Sequence, residues 1–273
     1  MNPIIFGILN ITEDSFSDGA KYLAPDAAIA HALKLARDGA HVVDLGAASS
    51  NPDARPVPPE VEIARLAPAV DALKRDGVPV SIDTFAPEVQ RWALAQGIDY
   101  LNDVRGFPDP KLYPLLAGCR TKLVVMHAVQ ERGPASRKLR VPAANLPERI
   151  LSFFEGRLAA LVAAGVARER LILDPGMGLF LGTDKEASFI VLRDLPQLRR
   201  AFGVPVLISV SRKSFLRRLT GRGPQEAGAA SLAAELFAVR QGVDYIRTHE
   251  PAPLKDALAV WQALAPETHG NPP

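Results

Sequence analysis

Val78-Pro79-Val80-Ser81-Ile82-Asp83 is a short, largely apolar run that closes on a carboxylate. An Ala- and Leu-containing amphipathic stretch follows over residues 87–96, with Pro87 at its start and Gly97 just past its end. A second apolar run, Tyr100-Leu101-Asn102-Asp103-Val104, comes directly after it. Proline at the first helical position and glycine beyond the last are the ordinary punctuation of a helix. A strand, a helix and a strand in immediate succession make a βαβ unit, whose two strands run parallel. The strands are apolar almost throughout because parallel strands are buried on both faces.

The same unit recurs along the chain. The other strand runs are Ile4-Ile5-Phe6-Gly7-Ile8-Leu9-Asn10, His41-Val42-Val43-Asp44-Leu45-Gly46, Lys122-Leu123-Val124-Val125-Met126-His127 and Leu171-Ile172-Leu173-Asp174. Pro205-Val206-Leu207-Ile208-Ser209-Val210-Ser211 and Tyr245-Ile246-Arg247-Thr248-His249 complete a set of eight. Helices are expected near residues 25–38, 59–74, 87–96, 110–117, 145–164, 185–201, 225–241 and 253–264. Gly39, Gly77, Gly165, Gly203 and Gly242 supply further stop signals. Eight units without a composition break predict an α/β chain closed into a single (β/α)8 TIM barrel over residues 1–265. Residues 266–273 are polar and Pro-rich and are expected to fray. A doubly wound open sheet is the structural alternative. The βα loops over residues 11–24, 47–58 and 128–144 are long, and in a barrel such loops lie on the catalytic face.

Bulk composition narrows the function classes. The 273 residues carry a formal net charge of +2, with no basic stripe to hold nucleic acid. The single cysteine, Cys119, excludes an internal disulfide framework. No run of about 20 apolar residues exists to span a membrane. The first residues lead into a strand without a basic segment, so a cytoplasmic location is expected. Leu232, Leu236, Leu258 and Trp261 on the last helices either form an apolar surface or pack inward.

The chemistry is written at the strand ends. Asn10, Asp83, Asn102, Asp174, Lys213, Arg247 and His249 all fall at or just past the C-terminal end of a strand. A barrel gathers those ends around one mouth. Asp83, Asn102 and Asp174 offer acceptors and an amide suited to a flat heterocycle rich in N–H groups, since a guanidine-like edge pairs with a carboxylate through two parallel hydrogen bonds. Arg247 and His249 are two apart on one strand, so they point the same way. With Asn10 on the neighbouring strand they form an anion-binding corner. No His or Cys cluster with metal-ligand spacing exists, and neither a P-loop nor a GxGxxG follows a strand. His127 ends the fifth strand and either faces the site or is structural.

These residues lie in motifs. Gly7-Ile8-Leu9-Asn10-Ile11-Thr12-Glu13-Asp14-Ser15-Phe16-Ser17-Asp18-Gly19, Ser81-Ile82-Asp83-Thr84, Asn102-Asp103-Val104 and Met126-His127 come first. Asp174-Pro175-Gly176-Met177-Gly178, Ser211-Arg212-Lys213-Ser214 and Arg247-Thr248-His249 follow. In this order, across nearly the whole chain, they resemble the dihydropteroate synthase family of folate biosynthesis. The resemblance implies a transferase that condenses 6-hydroxymethyl-7,8-dihydropterin diphosphate with p-aminobenzoate. The products are 7,8-dihydropteroate and diphosphate. It further implies that Asp83, Asn102, Asp174 and Lys213 hold the pterin. Asn10, Arg247 and His249 hold the diphosphate with Mg2+, and Asn10 is the implied metal ligand. Asp83, Lys213, Arg247 and His249 are the implied catalytic groups. Ser50, Pro52, Phe180 and Ser214 are implied to receive p-aminobenzoate, and the resemblance implies a homodimer that pairs through its helices, for which Leu232, Leu236, Leu258 and Trp261 are the candidate surface.

The loops depart from the ordinary pattern. Ser49-Ser50-Asn51-Pro52-Asp53 stands where the family has Ser-Thr-Arg-Pro-Gly, and Arg55 is the candidate replacement for the missing arginine. Gly178-Leu179-Phe180-Leu181 stands for Gly-Phe-Gly-Lys, and Phe107 adds an aromatic. These features are similar to the sulfonamide-insensitive, mobile-element type of the family. The reading is that Phe107 and Phe180 add bulk to the aminobenzoate pocket. Two other readings keep the barrel: a corrinoid methyltransferase sharing the pterin sector, and a catalytically silent pterin-binding protein favoured by the lost loop arginine.

Overall fold

A computed structural model describes residues 2–12, 22–49, 54–130, 135 and 137–264. Eight parallel strands run β1 (Ile4–Asn10), β2 (Val42–Gly46), β3 (Val80–Asp83), β4 (Tyr100–Asp103), β5 (Lys122–Met126), β6 (Leu171–Asp174), β7 (Leu207–Ile208) and β8 (Tyr245–Thr248). Their spatial order is β6-β5-β4-β3-β2-β1-β8-β7. A bridge between Leu173 and Val206 joins the two ends, and Leu173 N–H donates to the Pro205 carbonyl at 2.9 Å. Sequential neighbours and a closed ring identify the (β/α)8 barrel and exclude the doubly wound sheet.

Nine α-helices surround the strands among the described residues: α1 (Pro25–Arg37), α2 (Pro59–Arg75), α3 (Pro87–Ala95), α4 (Tyr113–Gly118), α5 (Leu146–Ala163), α6 (Ala187–Phe202), α7 (Ser214–Thr220), α8 (Gly228–Arg240) and α9 (Pro251–Leu264). The sequence does not predict α7. At seven residues it is too short to establish a helical period, and its Arg217-Arg218 pair reads as a solvated face. The helix expected over residues 110–117 is divided between a 3-10 turn at Pro110–Leu112 and α4.

Strand alternation explains where the site sits. Phe6, Val42, Tyr100, Val124, Ile172, Leu207 and Tyr245 form one buried cluster inside the barrel. Phe6 meets Tyr100 and Tyr245 edge-on, with ring centroids 4.9 and 5.7 Å apart. Side chains two residues apart on a strand share a face. One step toward the C-terminal ends, the interior positions are therefore Asp44, Asn102, Asp174, Ser209 and Arg247, and the next step brings Asn10, Gly46, Val104, Ser211 and His249. An apolar floor thus carries a polar layer. The intervening residues, among them Leu9, Val43, Leu45, Leu101, Leu123 and Leu173, pack outward against the helices in the main core. Burying each such side chain is worth about 1.5–3 kcal/mol.

Three of the four expected surface residues are corrected. Leu258 is buried, while Leu232 and Leu236 are half-buried against the core. Trp261 is exposed as expected, together with Val260 and Leu264 on the last helix. Helix periodicity turns Leu254 and Leu258 inward together, four residues apart. No helix among the described residues is long and apolar enough to cross a membrane.

Candidate active site

A cavity of about 700 Å³ opens at the C-terminal mouth of the barrel. Asn10, Asp83, Phe180, Lys213, Ser214, Arg247 and His249 line it. Asn102 and Asp174 line a chamber of about 30 Å³ that shares Asp83, Phe180, Lys213 and Arg247 with the main cavity. Ser50 and Pro52 lie outside the described residues.

Arg247 is the centre of the floor. Its Nη2 donates to Asp83 Oδ2 at 2.7 Å, and its Nε donates to Asp44. Burial works against the Arg247 charge, but Asp44 and Asp83 more than offset it and raise its pKa. Burial pushes the Asp83 carboxyl up to about 7, with Arg247 pulling the other way and the Asp44 charge adding to the rise. The residues expected at the pterin and those expected at the diphosphate thus meet in one layer. Asp83 from the first and Arg247 from the second are direct partners.

Asp174 is buried, and its Oδ1 accepts the Gly176 N–H at 2.8 Å. Burial raises its pKa to about 6, opposed first by that N–H and then by Lys213. The turn needs a glycine. Gly176 has φ +76°, and a Cβ there would stand 2.3 Å from the His127 carbonyl oxygen. Asn102 is buried with its Oδ1 lacking a hydrogen-bond partner. Such an orphaned acceptor, facing a chamber, is a place for a ligand donor.

Lys213 sits where the chain enters α7. Its Nζ lies 5.2 Å from the centre of the Phe180 ring, a cation–π contact. Burial lowers its pKa to about 8; Arg247 adds to this, while Asp174 and Asp83 oppose it. His249 Nδ1 lies 3.0 Å from Ser211 Oγ. Burial, then Arg212, Arg247 and Lys213, hold its pKa well below the usual value, so the ring is neutral at pH 7. Ser214 opens α7 with its Oγ buried and without a hydrogen-bond partner.

Phe180 and Phe107 part company. Phe180 is buried beside Val104, Met126 and Ala135 on the cavity wall. Phe107 is fully buried in the main core and absent from the wall, which corrects its placement in the aminobenzoate pocket. Asp103 holds it there. The Asp103 Oδ2 accepts the Phe107 N–H at 3.0 Å and the Gln90 side chain at 2.9 Å, and Phe107 adopts φ +60°. His127 is structural: it is buried, and its Nδ1 lies 3.1 Å from the Pro175 carbonyl. Arg55 lines a neighbouring cleft of about 200 Å³ rather than the main cavity.

The sequence reading missed Asp44 and Ser211. The signal for Asp44 was present: an acid inside an apolar strand, in phase with Val42 below it and Gly46 above. Ser211 shows only in three dimensions, as the partner of His249.

The model of the pterin binding enzymes matches residues 6–249. Over 261 residues the chain is 61% identical to a dihydropteroate synthase type-2 of Escherichia coli, covering 96% of each sequence. The chain belongs to the dihydropteroate synthase family. The synthase barrel is also similar to that of a Yersinia pestis dihydropteroate synthase solved with a sulfonamide drug. That likeness has a TM-score of 0.89 and 32% identity, covering 96% of this chain and 94% of the other. A Xanthomonas albilineans dihydropteroate synthase in complex with 7,8-dihydropteroate gives a TM-score of 0.80 at 33% identity, covering 96% and 92%. The synthase reaction is a transfer: pterin diphosphate and p-aminobenzoate give dihydropteroate and diphosphate.

Proposed function

We propose that the polar layer of the barrel divides this reaction among named side chains, and that the wall above it excludes sulfonamides. Asp83, Asn102, Asp174 and Lys213 bind the pterin ring. The observation that carries this assignment is the buried, unpartnered Oδ1 of Asn102 between two strand-end carboxylates. The ring offers N–H donors to all three. The chamber of about 30 Å³ beside Asn102 and Asp174 shares Asp83, Lys213 and Arg247 with the main cavity of about 700 Å³, so the ring has room to extend from one into the other.

Asn10, Arg247 and His249 receive the diphosphate. Negative charge grows on it as its bond to the pterin methylene breaks, and preorganised donors there lower the barrier. Asp83 and Asp174 stabilise the positive charge left on the pterin. The p-aminobenzoate nitrogen then attacks the methylene carbon, forming the new C–N bond and releasing its proton to solvent. Ser214 receives the carboxylate end, with Ser50, Pro52 and Phe180 around the ring.

Mg2+ belongs to this reading as a substrate-borne ion. No group of three or more His, Cys, Asp or Glu side chains among the described residues is arranged to hold a metal. One neutral oxygen, that of Asn10, fits an ion held mainly by diphosphate oxygens. Bound there, the ion supplies charge neutralisation to the leaving group. The exposed Val260, Trp261 and Leu264 strip supports a homodimer, tested by mass measurement in solution.

Phe180 is the barrier to sulfonamides. A flat carboxylate passes it, while the bent sulfonyl arylamide meets the ring. Sulfamethoxazole therefore inhibits the wild type weakly, and Phe180→Ala lowers its inhibition constant at least tenfold, about 1.4 kcal/mol. The KM for p-aminobenzoate changes less. Potent competitive inhibition of the wild type contradicts this reading, as does an inhibition constant that Phe180→Ala leaves unchanged.

A further inference from the structure

Phe85 lines the active-site cavity, yet the transfer as divided above gives it no task. It stands two residues past Asp83, where β3 ends, and is half-buried. It packs against the cluster of Val104, Met126, Ala135 and Phe180. Val104, Met126 and Phe180 also line the chamber beside Asn102 and Asp174. One apolar face therefore runs from that chamber out to Phe85 on the wall of the larger cavity.

A frame of hydrogen bonds fixes this position. Gln90 on α3 is buried, and its Nε2 donates to the Thr84 carbonyl at 3.0 Å and to Asp103 Oδ2 at 2.9 Å. Thr84 directly precedes Phe85, and its own N–H donates to the Asn102 carbonyl at 3.0 Å. Asp103 Oδ1 accepts the Arg105 N–H at 2.8 Å. The loops after β3 and β4 are thus tied together, and they bring the Arg105 guanidinium carbon to 4.3 Å from the centre of the Phe85 ring. Arg105 Nε is buried with no hydrogen-bond partner, so this part of the guanidinium has exchanged water for protein. Cation–π attraction is strongest where the cation is desolvated. Phe85 lines the cavity and Arg105 does not, so the guanidinium does not stand between the ring and the cavity.

We propose that Phe85 is a specificity-determining platform for the pterin ring, and that Arg105 is a positioning residue that acts through it. The chamber of about 30 Å³ is too small for a bicyclic ring, so the pterin extends past Val104 into the larger cavity, where its flat face meets Phe85. Flat rings in contact gain stabilisation beyond the area they bury. A platform already held by Arg105 loses little freedom when the substrate arrives, which is the gain of preorganisation. The proposal rests on the reading that Asn102 and Asp174 seat the pterin.

Calorimetric titration of the full chain with pterin diphosphate and Mg2+, without p-aminobenzoate, tests it. Phe85→Ala is expected to weaken binding about three- to tenfold, while Phe85→Tyr, which keeps the ring, binds within about twofold of the wild type. The KM for p-aminobenzoate is expected to change less than about twofold in both. Arg105→Met removes the cation and is expected to weaken pterin diphosphate binding about threefold. In the Phe85→Ala background the same substitution adds nothing, which separates an effect through Phe85 from a general loosening of the loop. Phe85→Leu, which lacks the flat ring, carries the same comparison if Phe85→Ala does not fold. Unchanged affinity in these Phe85 variants overturns the proposal, as does an Arg105→Met loss of equal size in both backgrounds. Asn102→Ala tells the two readings apart. If it weakens binding while the Phe85 variants do not, the pterin seat stands and the platform fails; if it too leaves affinity unchanged, the seat itself is refuted.

Discussion

Arg247 holds two carboxylates at once, and this pairing decides what single substitutions cost. Removing one member of a buried ion pair leaves a charge without compensation, at about 3–5 kcal/mol. Asp44→Asn leaves Arg247 paired with Asp83, so it is expected to lower the unfolding free energy in urea titration by less than that, although Asp44 takes no part in the proposed substrate contacts. Arg247→Ala is expected to raise the KM for pterin diphosphate at least tenfold. An unchanged KM refutes the anion corner. Lys213→Ala is expected to cut kcat at least a hundredfold, because it removes the cation between the pterin and aminobenzoate ends; near-normal turnover refutes that role. Much of this ring was legible in the sequence, since Asn10, Asp83, Asn102, Asp174, Arg247 and His249 all stand at strand ends. The pairing within it was not. Whether Arg247 turns to Asp83 or away depends on barrel geometry, and Asp44 lay one interior step below the strand end.

The element that joins structure to site most tightly is the end of β5 against the turn after β6. His127 there is buried and engaged by the Pro175 carbonyl. Burial lowers its pKa to about 4, with the Pro175 contact opposing and Arg149 assisting. The sign follows from the unfolded value near 6.5. Below it the unfolded chain takes up a proton that the folded chain refuses, so the contribution is present above pH 6.5 and lost as the pH falls toward 4. The stability advantage of the wild type over His127→Gln is expected to shrink by about 3 kcal/mol between pH 7 and 4. A constant difference in denaturant titrations contradicts it. The opposite side of the same turn is Gly176, where alanine meets the His127 carbonyl at 2.3 Å and φ is +76°. The strands and most helices were readable from apolar runs, Pro starts and Gly stops. Helix α7 was not, because seven residues carry no decisive period, and it is the element that presents Lys213 and Ser214.

Across the whole molecule, one alternation rule builds both the scaffold and the site. Seven interior residues close the barrel below, and on five of those strands, all but β1 and β5, the same face turns polar two residues later. Eightfold repetition made the architecture legible, because each βαβ unit repeats the evidence. The long βα loops lack that repetition, and bulk alone did not say where an aromatic points. Phe107 and Phe180 have the same side chain, yet one is core and the other is wall. The account comes down to whether this wall and floor perform the family's transfer. Steady-state formation of dihydropteroate, with diphosphate release followed in parallel, tests this most directly. The expected result is equimolar release that requires both pterin diphosphate and p-aminobenzoate and persists at sulfamethoxazole concentrations that saturate a sensitive synthase. Pterin binding without p-aminobenzoate-dependent release would contradict it.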